Sequence, residues 1–447
     1  MSTVTHEPVS TPAGATRRGL VGLVGAVSAG LVTAPAVAAP QRSGWDETTL
    51  QSDLDRYAGF GIKAAGGEGD RATGTWLEAS LQTLGFETER QTYDTPFFEP
   101  AESLLEFGTA RLDVVAQAPV RQTGDGGSAA PLLLWSQQDA ISGIAVVSLP
   151  FRRWSSASQR EIQEPVRAAF AAGAVAVLIV TTGPTGEALV LNAPPDAPPF
   201  AGPTAVVAPK DAAPLIEAAR VGATGRLCIT GRSGRREAFN VIGRLGEPTD
   251  PQLVVSTPRS GWLGSVGERG PGIAAWLGLA RLAADGRWGS ATWVSTSGHE
   301  YDNVGGQRFL ANGAPHPDRT RLWAHLGANL AARDWHEVGT GLAPLPSADP
   351  QRFLAAPEAM LPDLARAFAG LPGLENPYSW DRGVQGELAE IKAGGYAHAF
   401  GVFGAHRFHH AVGDDLRCVA PGLVANAGQA FEWAIDQFLT GRSENRG

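Results

Sequence analysis

Apolar residues recur along this chain at two spacings, and the two alternate. Trp76, Leu77, Leu81 and Leu84 fall at helical spacing with Gly85 as a stop, so a helix is predicted there. Phe86 to Tyr93 then alternates apolar and polar, which predicts a strand. After residue 236 the same rhythm returns. Phe239–Gly243, Leu253–Thr257, Ala291–Val294 and Leu322–Leu330 read as strands, and Gly401–Phe403 as a short apolar piece. Ile273–Ala284 and Pro421–Leu439 read as helices apolar enough to be buried. Strands alternating with helices predict an α/β fold, a three-layer α/β/α sandwich around a mainly parallel sheet.

The stretch 97–236 has a different texture, rich in Pro and Gly with short Val/Ala/Leu runs. Strands are predicted at Ile144–Leu149, Ala174–Val180 and Thr204–Val207, and helices at Val166–Ala172 and from Leu215 to Ala219. A helix, a Gly-Ala step, a buried strand and a Pro-rich loop in succession resemble the protease-associated domain, a small α/β module inserted into exported peptidases. The domain reading is therefore 41–96 plus 237–442 for the outer α/β domain and 97–236 for the insert. Segments 182–204 and 339–350 read as surface loops.

The first 38 residues change the picture of where the chain works. Arg17-Arg18 precede an apolar Gly/Ala-rich run, Gly19 to Ala34, and Ala36-Val37-Ala38 offers a small-residue cleavage site. The segment resembles a twin-arginine export signal, which predicts a periplasmic or extracellular location without stable membrane insertion after cleavage. The formal charge of -9 gives no basic footprint for nucleic acid. Cys228 and Cys418 fall in different predicted domains, so two buried thiols are expected rather than a disulfide.

Candidate chemistry gathers at the ends of the predicted strands. A strand ending at Ser256-Thr257 is followed by Gly267-Glu268-Arg269-Gly270-Pro271-Gly272, read as a Gly-rich loop running into a helix. Ser297-Gly298-His299-Glu300 comes after the next strand, with Gly305-Gly306 beyond it. Leu326-Gly327-Ala328-Asn329 lies on a later one, and His410 precedes Asp414 by four residues just before the closing helix. Open α/β sheets place ligands at such carboxyl ends. No Gly-x-Ser-x-Gly elbow accompanies Ser265 or Ser297, so serine hydrolase chemistry has little support.

This order resembles the zinc aminopeptidase family of exported leucyl-type aminopeptidases and glutamate carboxypeptidase-like enzymes. Those enzymes carry His-x-Asp after the first strand, Asp-Asn-x-Ser-Gly before the helix, and Glu-Glu before a Gly-rich turn. An Asp on the next strand and a terminal His-x-x-x-Asp complete a site for two zinc ions. The resemblance puts Glu268 at the bridging Asp, Glu300 at the second Glu and His410 at the terminal His, a possible three-ligand site for one zinc ion. His299 stands where the general-base Glu is expected. Ser256 or Thr257, Arg259 and the region of Ala328 stand where the second ion's ligands would be, so the two-zinc set is incomplete.

The residues themselves leave several alternatives open. Glu268, Glu300 and His410 hold one zinc, or Arg259 or Arg269 pairs with Glu268 or Glu300 and replaces the metal's charge. His299 is a base, or it donates to a backbone carbonyl. His398, His406 and His409 join a metal cluster or line an aromatic pocket, and Asp414 and Asp415 act as caps or carboxylate partners. Arg259 and Arg269 bind a substrate carboxylate, with Asn329 beside them, or form internal ion pairs. Two functions are consistent with these alternatives: a divergent exported hydrolase of peptides or related amides with at most one zinc, or a catalytically silent relative binding a peptide or a small anionic ligand.

Overall fold

The computed structural model describes residues 44–137 and 140–440, so the expected export signal lies outside the described residues. The period of two along the strands lays down the core. On the strands Gln252–Pro258, Ala291–Thr296 and Thr320–Leu326, the residues Leu253, Val255, Trp293, Leu322 and Ala324 face one apolar cluster. Their neighbours Val254, Val294 and Trp323 face another. Both faces are thus covered, which is why these strands are so uniformly apolar.

The helices Glu47–Gly59, Val266–Ala284 and Pro421–Thr440 cover the first face with Glu68–Thr83 alongside. The short helices Val304–Asn312 and Glu387–Ala393 cover the second. The central strands are parallel: Gln252–Pro258 lies between Ala291–Thr296 and Thr320–Leu326, and Ala399–Gly404 adds to the latter. Arg352–Ala356 follows antiparallel to Ala399–Gly404, and the short Tyr378–Ser379 closes that side. The result is the expected three-layer α/β/α sandwich with a mostly parallel sheet.

Two strands are much longer than their sequence pattern indicates. Glu87–Phe107 and Thr224–Leu245 pair antiparallel over almost their whole length. Near residues 87–94 and 237–245 this ribbon belongs to the main sheet, through Ala291–Thr296. Further along it pairs with Ser128–Leu134 and opens a second set of parallel strands, Ile144–Ser148, Ala176–Val180 and Thr204–Val207. That small sheet has its own apolar clusters on its two faces, one against Ala212–Arg220 and one against Arg160–Ala171. The ribbon is continuous through 97 and 236 because paired backbone, and not a linker, carries the chain across.

Three expectations need correction. Gly267–Gly272 is not a loop but the opening of the helix Val266–Ala284, since Asp414 supplies a carboxylate to its first backbone N–H groups. Segment 339–350 is mostly a strand, Gly341–Ala348, which forms a hairpin with Arg333–Val338. The strand at 322–330 ends at Leu326, and Asn329 beyond it turns into the left-handed region at φ 58°. Cys228 and Cys418 are buried and free, as expected. No helix among the described residues is long and apolar enough to cross a membrane.

Candidate functional site

Four parallel strands end on the same edge, and the loops leaving them build the site. Gln252–Pro258 delivers Arg259 and Ser260, Ala291–Thr296 delivers His299 and Glu300, Thr320–Leu326 delivers Asn329, and Ala399–Gly404 delivers His406, His409 and His410. Left-handed backbone concentrates here. Of the six non-glycine residues with positive φ among the described residues, Ser265, Asp302, Asn303, Asn329 and His410 all lie along this edge. Such backbone persists where surrounding contacts over-determine it. For His410 the brace is a hydrogen bond from Val190 N to its carbonyl, 3.1 Å.

Glu268 sits fully buried in the first turn of the helix Val266–Ala284, and Arg269 Nη2 lies 2.7 Å from its Oε1. His410 Nε2 is 3.4 Å and His409 Nδ1 3.8 Å from the same oxygen, with the two imidazole rings stacked at 3.9 Å. Burial alone would raise the Glu268 pKa. Arg269, then His409 and His410, outweigh it and hold the carboxyl well below the usual range. His409 is pushed well below its ordinary value by burial and by His410. Its Nδ1 lacks a hydrogen-bond partner.

Glu300 is not part of this group. Its Oε1 accepts from Ala65 N and its Oε2 from Ser260 Oγ, each at 2.6 Å, and burial raises its pKa. Ser260 Oγ in turn accepts from Gly298 N at 2.7 Å. Glu300 thus ties three loops together with both oxygens engaged. The expected Glu268–Glu300–His410 set is not assembled; the donors that converge are Glu268, His409 and His410. Two imidazoles and a carboxylate suit zinc by donor type, and Nδ1 of both histidines is unpaired. The Arg269 guanidinium lies against Oε1, the same oxygen that the two imidazoles face.

Arg259 goes elsewhere. Its Nε lies 2.9 Å from Asp70 Oδ1 with both side chains fully buried, and its Nη1 and Nη2 donate to the carbonyls of Ser295 and Phe239. The guanidinium lies over the Phe239 ring at 4.8 Å. All of its donors serve the fold, so it is not a substrate-carboxylate fork. Arg269 donates to Ser260 O and keeps Nη1 unpaired. Asn329 donates to Gln351 O, and its backbone N–H to Glu268 O, so it braces the loop while its Oδ1 stays without a partner.

A cavity of about 280 Å³ opens beside this cluster, and neither Arg259 nor Arg269 lines it. His299, His325, Glu387 and His409 form its polar wall, and Ser155, Gln159 and Asn192 face them from the other side. Asn192 is fixed by an indole N–H bond from Trp262, 2.8 Å, and Ala193 N binds Glu300 O, so the 182–204 loop is anchored at the cavity. His299 Nδ1 stands 3.8 Å from Glu387 Oε1, which accepts from Thr296 Oγ1 at 2.6 Å. Burial, then Arg269, lowers the His299 pKa against the pull of Glu387. Burial drives His325 down to about 4. Its Nδ1 lies 2.9 Å from Ser256 Oγ, which the Trp323 indole also reaches.

Sequence reading missed Asp70, Glu387 and His325. A histidine inside the apolar run Leu322–Leu326 was a usable signal for His325, since a buried imidazole needs partners. Asp70 and Glu387 lie in helix starts far away along the chain and carried no signal.

No family model matches the chain, and no curated protein matches it by sequence. Solved structures do resemble it. A zinc aminopeptidase from Bacillus subtilis is 15% identical over 90% of this chain and 97% of its own, with a TM-score of 0.67. A peptidase M28 precursor from Shewanella amazonensis is 15% identical over 89% and 94%, with a TM-score of 0.66. An aminopeptidase from Aneurinibacillus sp. strain AM-1 is 16% identical over 88% and 94%, at 0.62. The chain has the fold of the zinc aminopeptidases.

Proposed function

We propose that this chain is an exported, peptidase-like protein that holds a peptide in the histidine-lined cavity and lacks the two-zinc chemistry of its structural neighbours. The observation that carries this reading is the buried Arg269–Glu268 pair, 2.7 Å apart, at the position where the resemblance puts the bridging ligand. A fixed guanidinium neutralises that carboxylate as an ion would, and offers no open coordination position for water. Thr257 and Arg259, at the other expected ligand positions, are bound to Leu326 O and to Asp70.

Of the two ligand classes expected, the lining favours the peptide over a small anion. Asp302 and Glu387 border the cavity, no lysine or arginine among the described residues does, and its histidines His299, His325 and His409 are held toward the neutral form by burial. Ser155, Gln159 and Asn192 supply amide and hydroxyl partners for a backbone. These three come from the 97–236 segment, which we read as the protease-associated-like insert; its own parallel strands and two apolar clusters support that reading. Export rests on the sequence of residues 1–38.

A second reading rests on the convergence of Glu268, His409 and His410. In it, these three side chains hold one zinc ion, which would polarise a carbonyl when bound, and His299, oriented by Glu387, accepts a proton at its ring. Hydrolysis of aminoacyl-arylamides with added zinc and with a chelator, alongside metal analysis, separates the two. The peptide-binding reading expects peptide affinity, no zinc that depends on His409, and no chelator-sensitive turnover. One equivalent of zinc with chelator-sensitive turnover that is lost in His409→Ala would replace it with the second.

A further inference from the structure

A second group of buried donors lies behind the cavity and takes no part in either reading. His406, Asp414 and Cys418 each offer one ligand atom, all within 4.8 Å of one another, and the three side chains are 0%, 2% and 0% exposed. Neither ring nitrogen of His406 makes a hydrogen bond, although Nε2 lies 3.2 Å from Asp414 Oδ2. The Cys418 thiol has only a long contact to Gly413 O, 3.5 Å. Asp414 thus faces one nitrogen of this buried ring, and Nδ1, with no partner at all, indicates a group that completes the site.

The backbone holds these donors together. Tight turns run through the segment, with His409 N on His406 O, Asp414 N on Ala411 O and Cys418 N on Asp415 O. They focus on Gly267: a Cβ placed there would lie 2.8 Å from Asp414 Oδ1, from Cys418 Cβ and from His406 Cε1. Asp414 is held in place by the N–H groups of Gly267 and Glu268, and a carboxylate with two such bonds keeps further lone pairs.

We propose that His406, Asp414 and Cys418 form a site for a single borderline-soft divalent cation such as zinc. One imidazole nitrogen, one carboxylate oxygen and one thiolate sulfur are the donors this class of ion selects. On binding, the Cys418 S–H bond breaks and a sulfur–metal bond forms; the thiol proton leaves to solvent, together with any proton on His406. Burial pushes the free thiol up, so without an ion Cys418 stays protonated and inert. The ion would tie the loop after Ala399–Gly404 to the start of the helix Val266–Ala284, fixing the backbone that carries Glu268, His409 and His410. Its role is structural, and the sulfur among its donors distinguishes it from the adjacent Glu268 group.

Cobalt(II) titration into the reduced, metal-free full chain tests it. The expected result is a near-ultraviolet sulfur-to-cobalt charge-transfer band saturating at one equivalent. The band is expected to vanish in Cys418→Ser and His406→Gln and to persist in Cys228→Ser and His410→Gln. Absence of the band in the unmodified chain, or its survival in Cys418→Ser, overturns the proposal. Should Cys418→Ser not fold, X-ray absorption of the zinc-loaded chain decides. One sulfur at ~2.3 Å supports the site. A shell of nitrogen and oxygen alone overturns it, and would instead be the signature of zinc at Glu268, His409 and His410.

Discussion

Replacing Arg269 by Met removes the guanidinium while keeping most of the apolar stem. The change leaves Glu268 fully buried with its nearest cation gone, and removes the bond to Ser260 O. Breaking one side of a buried pair costs about 3–5 kcal/mol, because an uncompensated charge remains. The lost hydrogen bond to Ser260 belongs within that range and is not added to it. Equilibrium unfolding in urea, followed by tryptophan fluorescence with EDTA present, measures the loss. The same experiment with zinc carries the sharper expectation. Freed of Arg269, the Glu268–His409–His410 donors can accept an ion, and a ligand present at about 100 times its Kd returns about 2.7 kcal/mol. Zinc is thus expected to restore roughly half or more of the stability of Arg269→Met. Because the His406–Asp414–Cys418 site could also respond, the comparison is made in a Cys418→Ser background. A loss below about 1 kcal/mol would refute the idea that the guanidinium stands in for a cation, and so would equal zinc stabilisation with Arg269 present.

The Arg259–Asp70 pair lends itself to a double-mutant cycle. Arg259→Met and Asp70→Asn are each expected to cost about 3–5 kcal/mol, and the double variant less than their sum by about 1–3 kcal/mol; additivity would show that the pair is not a unit. His325 confers acid sensitivity. Its folded pKa, about 4, lies below the unfolded value near 6.5, so the unfolded chain binds the proton first and stability falls with pH between those values. The loss is about 3 kcal/mol at roughly 1.36 kcal/mol per unit, and His325→Gln is expected to flatten that limb in pH-dependent urea unfolding. Glu268 acts in the same direction at lower pH: its depressed folded pKa adds stability above the unfolded value that is lost as pH falls through the folded one. In peptide binding followed by calorimetry, Asn192→Ala is expected to weaken affinity about 5–10-fold, corresponding to a lost hydrogen bond of ~1–1.5 kcal/mol; an unchanged Kd would remove the 182–204 loop from the site.

The sequence by itself determined the layered fold. Runs such as Leu253–Val255 and Ala291–Val294 admit no exposed face, and helices as apolar as Ile273–Ala284 can only be buried between neighbours. It also put His299-Glu300, Glu268 and His410 at one sheet edge, because each lies just beyond or just before a predicted strand or helix end. Tertiary structure decided what those residues do. Glu300 and Glu268 look alike as buried acids, yet one is spent on Ala65 N and Ser260 Oγ and the other faces Arg269, His409 and His410. Arg259 and Arg269 were equal candidates to pair with them. Asp70, 189 positions away in the chain, captured the first, and adjacency on one helical turn gave Glu268 the second. Periodicity reports which side of an element meets water, a local property of each segment. Partner choice among buried charges depends on which loops the parallel strands bring to one edge, and only the assembled sheet specifies that.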